Sequence, residues 1–290
     1  MGVQHFPVAA AVSVAPVLRG PRRLVAVAAV TDRAVYLDTG DPDCPAICLV
    51  TSSAVRVPCA LVLGDCAPPP DVTVGDTGLV GGGQLVLGGA AYRPARWWRP
   101  ARPARTVGAV PAAHLPPLDA GTSGAVARLA RDLASDAPLA GPVTALLGRG
   151  PGLTPLGDDV LAGALVALVA ADSPAGARLA AETIQRAPHR TTFVSAALLW
   201  HAARGECVPE LAALIAGAPG ATEALLRVGH TSGAGLAHGV CAAQPPLHEV
   251  SVSARNAAKR SPAVANEGRT VSARNAAKRS PAVANEGRTV

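Results

Sequence analysis

The sequence has few aromatic residues and no hydrophobic run long enough to cross a membrane. Only three Trp, two Tyr and two Phe occur among 290 residues, although 49% of the chain is hydrophobic. The core must therefore consist mainly of Ala, Val and Leu, whose small side chains let helices approach closely. The longest apolar run, residues 160–171, is too short for a bilayer, and the apolar N-terminus lacks the basic start of a signal peptide. We expect a cytoplasmic protein without a membrane partner.

The cysteines lack the paired CxxC spacing that is typical of structural zinc sites. Six occur, and four of them fall in one short segment: Cys44, Cys48, Cys59, Cys66, Cys207 and Cys241. A metal site within that segment is one alternative. We interpret the cysteines instead as buried thiols of a protein in a reducing compartment.

Most of the chain has no excess of basic residues. The formal net charge is +6, and residues 252–290 account for all of it with eight Lys or Arg and two Glu. The basic pI is therefore no reason to expect a nucleic-acid partner for the rest of the protein. Residues 252–270 recur unchanged as residues 271–289, a 19-residue duplication. Two polar copies are too few for a repeat fold, so we predict a disordered tail over 251–290.

The rest of the chain divides near residue 110 into two halves with different patterns. Residues 1–110 contain short runs rich in β-branched residues, whose even spacing predicts an antiparallel sheet or a small barrel. Residues 111–250 predict helices that end at glycines. The predicted fold class is α+β, with a β-rich N-terminal domain and an α-helical C-terminal domain. The predicted strands are 24–30, 34–37, 46–50 and 59–63, followed by a hairpin with its turn at 81–84.

Arginine occurs at every third position from residue 93 to residue 105, in a segment rich in proline. A polyproline II conformation would place these side chains along one edge. We interpret the segment as an extended connector with solvated arginines. A cationic stripe that binds an anion or a partner is the alternative.

The most distinctive segment is a glycine-rich loop that leads into a helix within the α-helical domain. Gly150, Gly152 and Gly157 let backbone N–H groups approach a ligand, and Thr154 or Gly157 can cap the helix. The positive end of the helix dipole favours an anion at this point. No GK[ST] sequence follows, so the loop is not a P-loop.

Two carboxylates, Asp158 and Asp159, follow the loop directly and would repel an anion. A divalent cation such as Mg²⁺, held by both side chains, would remove this conflict by bridging to a phosphate. A neutral amide would remove it by donating its N–H groups to the carboxylates. The alternative is that both residues only stabilise the first helical turn. We predict a catalytic role for both and, as a further prediction, a metal-binding role.

A second motif, residues 229–233, places hydroxyl groups at another helix start. His230 is a candidate general acid or base, or a donor to an anion. Thr231, Ser232 and Gly233 are candidates for ligand binding. The alternative is a turn between helices that is capped by Thr231 or Ser232.

A third motif opens the helix that begins near Thr191. Thr191 and Ser195 are four residues apart and share one helix face, and Thr192 lies between them. We predict that all three line the site, with hydrogen bonds back to the helix backbone as the alternative. Neither a GxSxG sequence nor a cysteine–histidine signature is present, so covalent catalysis has little support.

Together the three motifs resemble one protein family. The segments GRGPGLTPLGDDVLAGAL, RTTFVSAALL and LLRVGHTSG are similar to the AllH-type subunit of oxamate carbamoyltransferase. The resemblance covers roughly residues 10–245. The chain departs from the family pattern at Leu156, where a small polar residue is expected, at Gly235, where a polar one is expected, and in the duplicated tail.

The resemblance implies a part in purine-ureide catabolism, the degradation of allantoin. The family's complex exchanges oxalurate and phosphate for oxamate and carbamoyl phosphate. The implied partners are therefore the other subunits of a multi-subunit carbamoyltransferase and two small anions, carbamoyl phosphate and oxamate.

Two other classes of function remain as alternatives. The chain could be a non-catalytic or regulatory subunit that binds a small acid. Activity that survives the loss of both Asp158 and Asp159 would favour this reading. It could also associate with nucleic acid through the basic tail, and binding that disappears with the tail and falls steeply with salt would mark that association as incidental.

Overall fold

A computed structural model describes residues 4–104, except 66 and 68, and residues 115–244. These residues lie within one compact unit, Met1–Pro245. The predicted α+β class is confirmed, because an eight-stranded barrel is followed by a set of helices. The predicted domain boundary near residue 110 and the predicted disordered tail over 251–290 lie outside the described residues, as does Cys66, and they stay predictions.

The strands close into a barrel in the order β1-β5-β4-β3-β2-β6-β7-β8. Their bounds are β1 Gln4–Ala11, β2 Arg23–Val30, β3 Ala34–Asp38, β4 Ala46–Val50, β5 Ala60–Leu63, β6 Thr77–Gly81, β7 Gln84–Leu87 and β8 Ala90–Trp98. The predicted small barrel is therefore confirmed. The predicted antiparallel sheet is wrong, because β1 runs parallel to β8 and β4 runs parallel to β5.

The burial pattern explains why these segments form strands. In β2 the buried residues Val25, Val27 and Ala29 alternate with more exposed ones, so one face points to the core. Strand β4 is buried along its whole length, and so is β5. Side chains on both faces of β4 and β5 therefore pack in the core.

The proline-rich segment before residue 99 belongs to the barrel and is not a connector. Strand β8 pairs with β1, and the register shifts between Val8 and Ala9, which pair with Pro94 and Arg96. Proline has no N–H for the sheet, and it is tolerated in strands at such irregularities. Arg105, the last arginine of the periodic series, lies outside the described residues.

Four of the five described cysteines are buried thiols, and Cys241 is partly exposed. Cys44, Cys48, Cys59 and Cys207 are buried and free. Burial raises the pKa of the Cys44, Cys59 and Cys207 thiols to about 12. At neutral pH these thiols are protonated and therefore weak nucleophiles.

Nine α-helices occur in the described residues, and a short 3₁₀ turn, Val12–Val14, precedes the first. Their bounds are α1 Ala15–Arg19, α2 Ala120–Ala134, α3 Ala140–Leu146, α4 Leu156–Ala170, α5 Pro174–Arg190, α6 Phe193–Ala202, α7 Pro209–Ile215, α8 Ala221–Leu226 and α9 Ser232–Ala243. Of the described helices, none has the length and apolar character needed to span a membrane.

Helix α4 is the central helix of the α-helical half and packs closely against α9. Glycines make this approach possible. A Cβ atom at Gly163 would overlap the carbonyl group of Leu236, and one at Gly239 would overlap the carbonyl group of Val160. The close packing brings the N-terminal ends of α4 and α9 together, and these two ends carry the candidate site.

Candidate ligand-binding site

The glycine-rich loop connects α3 to α4 and depends on glycine for its path. Gly150 and Gly152 have φ angles of +115° and +94°, which L side chains rarely adopt. No atom lies within 4 Å of the position that a Gly152 Cβ would take. Among the described residues, no acceptor is bonded to the backbone N–H groups of Gly152, Leu153 and Thr154. The loop therefore presents free N–H donors beside open space.

Asp158 fastens this loop to the start of α6. Its Oδ1 accepts a hydrogen bond from the Gly148 N–H at 2.8 Å. Its Oδ2 accepts from the Thr191 hydroxyl and, at 2.8 Å, from the Ser195 hydroxyl. Burial raises the pKa of Asp158, although these three hydrogen bonds oppose the rise. Asp158 is 1% exposed, and its hydrogen bonds hold the loop against the start of α6.

Two further hydroxyl groups hold the loop in place. Thr192 donates to the Leu153 carbonyl oxygen at 2.5 Å and also caps α6 by accepting from the Ser195 N–H. The hydroxyls of Thr154 and Ser232 are 2.9 Å apart and joined by a hydrogen bond. The loop is thus tied to α4, α6 and α9, and the third motif serves as its support.

Asp159 differs from its neighbour in having an unsatisfied oxygen. The side chain is 8% exposed, and its Oδ2 is buried without any hydrogen-bond partner among the described residues. Burial raises the pKa of Asp159 to about 7, a hydrogen bond from Ser232 opposes the rise, and the charge of Asp158 adds to it. A buried acceptor without a donor costs free energy. Titratable groups with strongly shifted pKa values are concentrated at functional sites.

Asp159 forms part of the wall of a pocket with a volume of about 180 Å³. Thr154 and Ser232 line the same pocket beside it. On the barrel side, Tyr36 and the loop before β5 complete the wall with the apolar residues Val55, Val57 and Pro58. The pocket therefore lies between the barrel and the helices, and both halves of the protein form it.

A second polar cluster reaches the pocket through Glu206. Its Oε1 accepts from Arg102 at 2.8 Å, and its Oε2 lies 2.8 Å from Nδ1 of His201, which is 0% exposed. Burial raises the pKa of Glu206, but the hydrogen bonds from His201 and Arg102 and their charges outweigh burial and lower it. Cys207 also donates its N–H to the Ala101 carbonyl at 2.9 Å. These contacts join the segment after β8 to the α6–α7 turn.

Sequence reasoning missed Glu206, His201 and Tyr36. Their positions in the sequence belong to no motif, and they meet only because the barrel packs on the helices. The one available signal was Gly205, which marks a helix end and hence a turn just before Glu206.

The structure brings some predicted site residues together and leaves others apart. His230 and Thr231 are exposed, and neither lines the pocket. Gly157 and Gly233 are buried where a Cβ atom would overlap the carbonyl groups of Leu146 and Leu225. These two glycines permit close packing and have no free surface for a ligand.

Arg149, inside the loop, is fixed by the start of α2. Its Nε donates to the Thr122 hydroxyl at 2.7 Å, and its Nη2 donates to Asp119 at 3.1 Å. Asp119 caps α2 by accepting from the Thr122 N–H. Hydrogen bonds from Thr122 and Arg149 lower the pKa of Asp119. The cation nearest in sequence to the loop's N–H groups is therefore already paired.

The carboxylates of Asp158 and Asp159 are poorly suited to share a metal ion. Asp158 uses both oxygens for three protein donors. No group of three or more His, Cys, Asp or Glu side chains within the described ranges is placed to hold a metal ion. A Mg²⁺ ion at Asp159 would thus need most of its ligands from a bound substrate or water.

Comparison with known proteins supports the resemblance found in the motifs. Residues 146–244 match the model of a family described as oxamate carbamoyltransferase subunit AllH. The matched segment runs from the end of α3 to α9, so it includes the loop, both aspartates and all three motifs. No curated protein and no solved structure matches the chain.

Leu156 and Gly235, where the resemblance led us to expect polar residues, lie next to each other in the structure. A side chain at Gly235 would come within 2.7 Å of the Asp159 Cβ and within 2.9 Å of the Leu156 carbonyl oxygen. The Leu156 side chain also occupies space next to Gly235, at 3.0 Å from that position. A side chain at position 235 would therefore overlap Asp159 and the backbone of α4, whichever residue stood at position 156.

Proposed function

We propose that this protein is a subunit of a carbamoyltransferase complex that acts on oxamate and carbamoyl phosphate. The observation that carries the proposal is the buried, unpartnered Oδ2 of Asp159, a residue of the segment that matches the family model and part of the wall of the pocket between helices and barrel. A primary amide or a carbamoyl group has two N–H donors that such an oxygen can accept. Thr154 lines the same pocket, and its free backbone N–H can donate to the anionic end of the same ligand.

In this proposal the two aspartates have separate tasks. Asp158 positions the loop, and Asp159 accepts the amide N–H of oxamate. Carbamoyl transfer then forms a bond from the amide nitrogen to the carbamoyl carbon and breaks the bond from that carbon to the phosphate oxygen. The nitrogen loses one proton, and the departing phosphate or Asp159, with its pKa of about 7, can take it. Orientation of the two reactants would supply much of the rate.

The test is oxalurate phosphorolysis by the complex that co-purifies with the full-length chain. We expect Asp159→Asn to lower the rate at least 100-fold while the complex still assembles. The control is Asp132→Asn on α2, which does not line the pocket and should leave the rate unchanged. An active complex with an unchanged rate in Asp159→Asn would contradict the catalytic role and favour a regulatory subunit that binds a small acid.

We propose Mg²⁺ as an alternative to the amide contact, with Asp159 as its protein ligand, because both oxygens of Asp158 already accept from protein donors. If Mg²⁺ is required, binding of carbamoyl phosphate should vanish in a chelator and return with Mg²⁺. Binding that is independent of the metal and lost in Asp159→Asn indicates the amide contact instead.

A further inference from the structure

The pocket beside Asp159 has two properties that oxamate alone does not require. Its volume of about 180 Å³ exceeds that of a cavity of about 150 Å³ that is known to hold benzene. Most of its wall is apolar: the helical side contributes Ala162, Val166, Leu198, Ala202, Leu211 and Leu236. A small carboxylate such as oxamate would leave this apolar part without contacts.

The charges of the wall argue against an anionic group in the apolar part of the pocket. In the described part of the chain, no lysine or arginine lines the pocket, whereas Asp159 and Glu206 both do. Glu206 already has Arg102 and His201 as partners. Asp159 is the only lining residue, among those described, with a buried polar side-chain atom that has no partner.

The positions of the apolar residues continue directly from Asp159. Asp159, Ala162 and Val166 all lie on α4 and line the pocket, at spacings of three and four residues that place them on one helix face. A ligand whose N–H group reaches Asp159 would therefore place its remaining atoms over Ala162 and Val166. Across the pocket, Val57 and Pro58 of the barrel face the same space.

We infer that this pocket binds an uncharged primary amide with an apolar body of about six carbon atoms. The amide donates to Asp159, and the apolar body fills the space between α4, α6 and the barrel. The inference rests on the proposed role of Asp159 as an acceptor for an amide, and it extends the ligand class of that site beyond oxamate.

Calorimetric titration of the full-length chain with benzamide, acetamide and benzoate tests the inference. Benzamide and benzoate share one apolar body and differ in the amide, and acetamide keeps the amide without the body. We expect benzamide to bind at least tenfold more tightly than acetamide, and benzoate not to bind measurably at pH 8. In Asp159→Asn, benzamide should lose at least tenfold in affinity, as expected for a hydrogen bond to a charged group.

Variants that fill the pocket complete the test. Ala162→Leu should weaken benzamide at least tenfold and leave acetamide unaffected. If Ala162→Leu does not fold, Ala202→Val on α6 fills the same pocket and should act in the same direction. Equal affinities for benzamide in the parent and in a folded variant with a filled pocket would overturn the inference. So would benzamide binding no tighter than acetamide.

The outcome separates this inference from the proposed function. If oxamate binds through Asp159 and benzamide does not bind, the apolar ligand class is wrong and the carbamoyltransferase proposal stands. If benzamide binds through Asp159 while the purified complex has no phosphorolysis activity, the pocket assignment stands and the proposed reaction is wrong.

Discussion

Two neighbouring aspartates illustrate how the helix determines the role of each residue. Successive residues of an α-helix point about 100° apart, so Asp158 and Asp159 face different surroundings. Asp158 faces the loop and the start of α6 and is fully bonded, whereas Asp159 faces the pocket and keeps a free oxygen. The pair could be recognised in the sequence because two carboxylates followed a glycine-rich loop. Their different tasks could not, because these depend on which helices pack on each side.

The raised pKa of Asp159 predicts a particular pH dependence of stability. The folded pKa of about 7 is above the ordinary value of 3.8, so the folded state holds a proton that the unfolded state releases. Protonation of Asp159 therefore contributes fully to the free energy of unfolding below pH 4. This contribution, about 4 kcal/mol at most, is lost as the pH rises to 7. Chemical unfolding of the parent and of Asp159→Asn between pH 5 and pH 8 measures this. A parent whose stability falls no more than that of the variant would contradict the assignment.

Removal of Asp158 should damage the fold more than removal of either of its hydroxyl partners. Asp158→Ala leaves the Gly148 N–H and two hydroxyls without their acceptor, and we expect a loss of about 3 kcal/mol or more. Ser195→Ala removes one of the three bonds and should cost about 1 kcal/mol. Urea unfolding compares the two, and equal losses would mean that Asp158 does not anchor the loop.

At the scale of the elements, the close contact between α4 and α9 builds the site. Glycines in both helices allow backbone to pack on backbone, and this places Ser232 next to Asp159. The abundance of small residues predicted close helix contacts, but the sequence could not identify the two helices involved. The parallel pairing of β1 with β8 could not be predicted either. It depends on the closure of the barrel between strands far apart in the sequence, which local patterns do not encode.

Gly239→Ala should separate α4 from α9, because the new Cβ would overlap the carbonyl group of Val160. We expect a loss of stability of about 2 kcal/mol or more, which is typical of overpacking in a core. The matched control is Gly124→Ala in α2, where nothing lies within 4 Å and alanine should stabilise the helix by up to about 1 kcal/mol. Thermal unfolding of both variants compares their stabilities. Equal changes in the thermal midpoint would contradict the close contact between α4 and α9.

At the scale of the whole molecule, the barrel and the helices share the pocket and a set of polar contacts. Arg102 follows β8, and its ion pair with Glu206 lies at 2.8 Å. The His201 ring, with 0% exposure, holds the other oxygen of Glu206. No sequence motif contains these residues, so only the packing of the two halves shows them. Ligand binding in the pocket should therefore stabilise the two halves together.

The duplicated tail is expected to be dispensable for the folded unit. All of the formal net charge of +6 resides in residues 252–290, and the described residues lie within Met1–Pro245. We expect truncation after residue 250 to change the thermal midpoint by less than about 2 °C, because it leaves every described residue in place. A decrease of several degrees would show that the tail packs on the remainder of the protein.

The central claim is that Asp159 accepts the N–H of an amide ligand. The most direct measurement compares oxamate with oxalate, its analogue with a second carboxylate in place of the amide, by calorimetric titration of the parent and of Asp159→Asn at pH 8. We expect the parent to bind oxamate and reject oxalate, and Asp159→Asn to lose at least tenfold in oxamate affinity and to discriminate less between the two. Equal affinities of the parent and the variant for oxamate would contradict it.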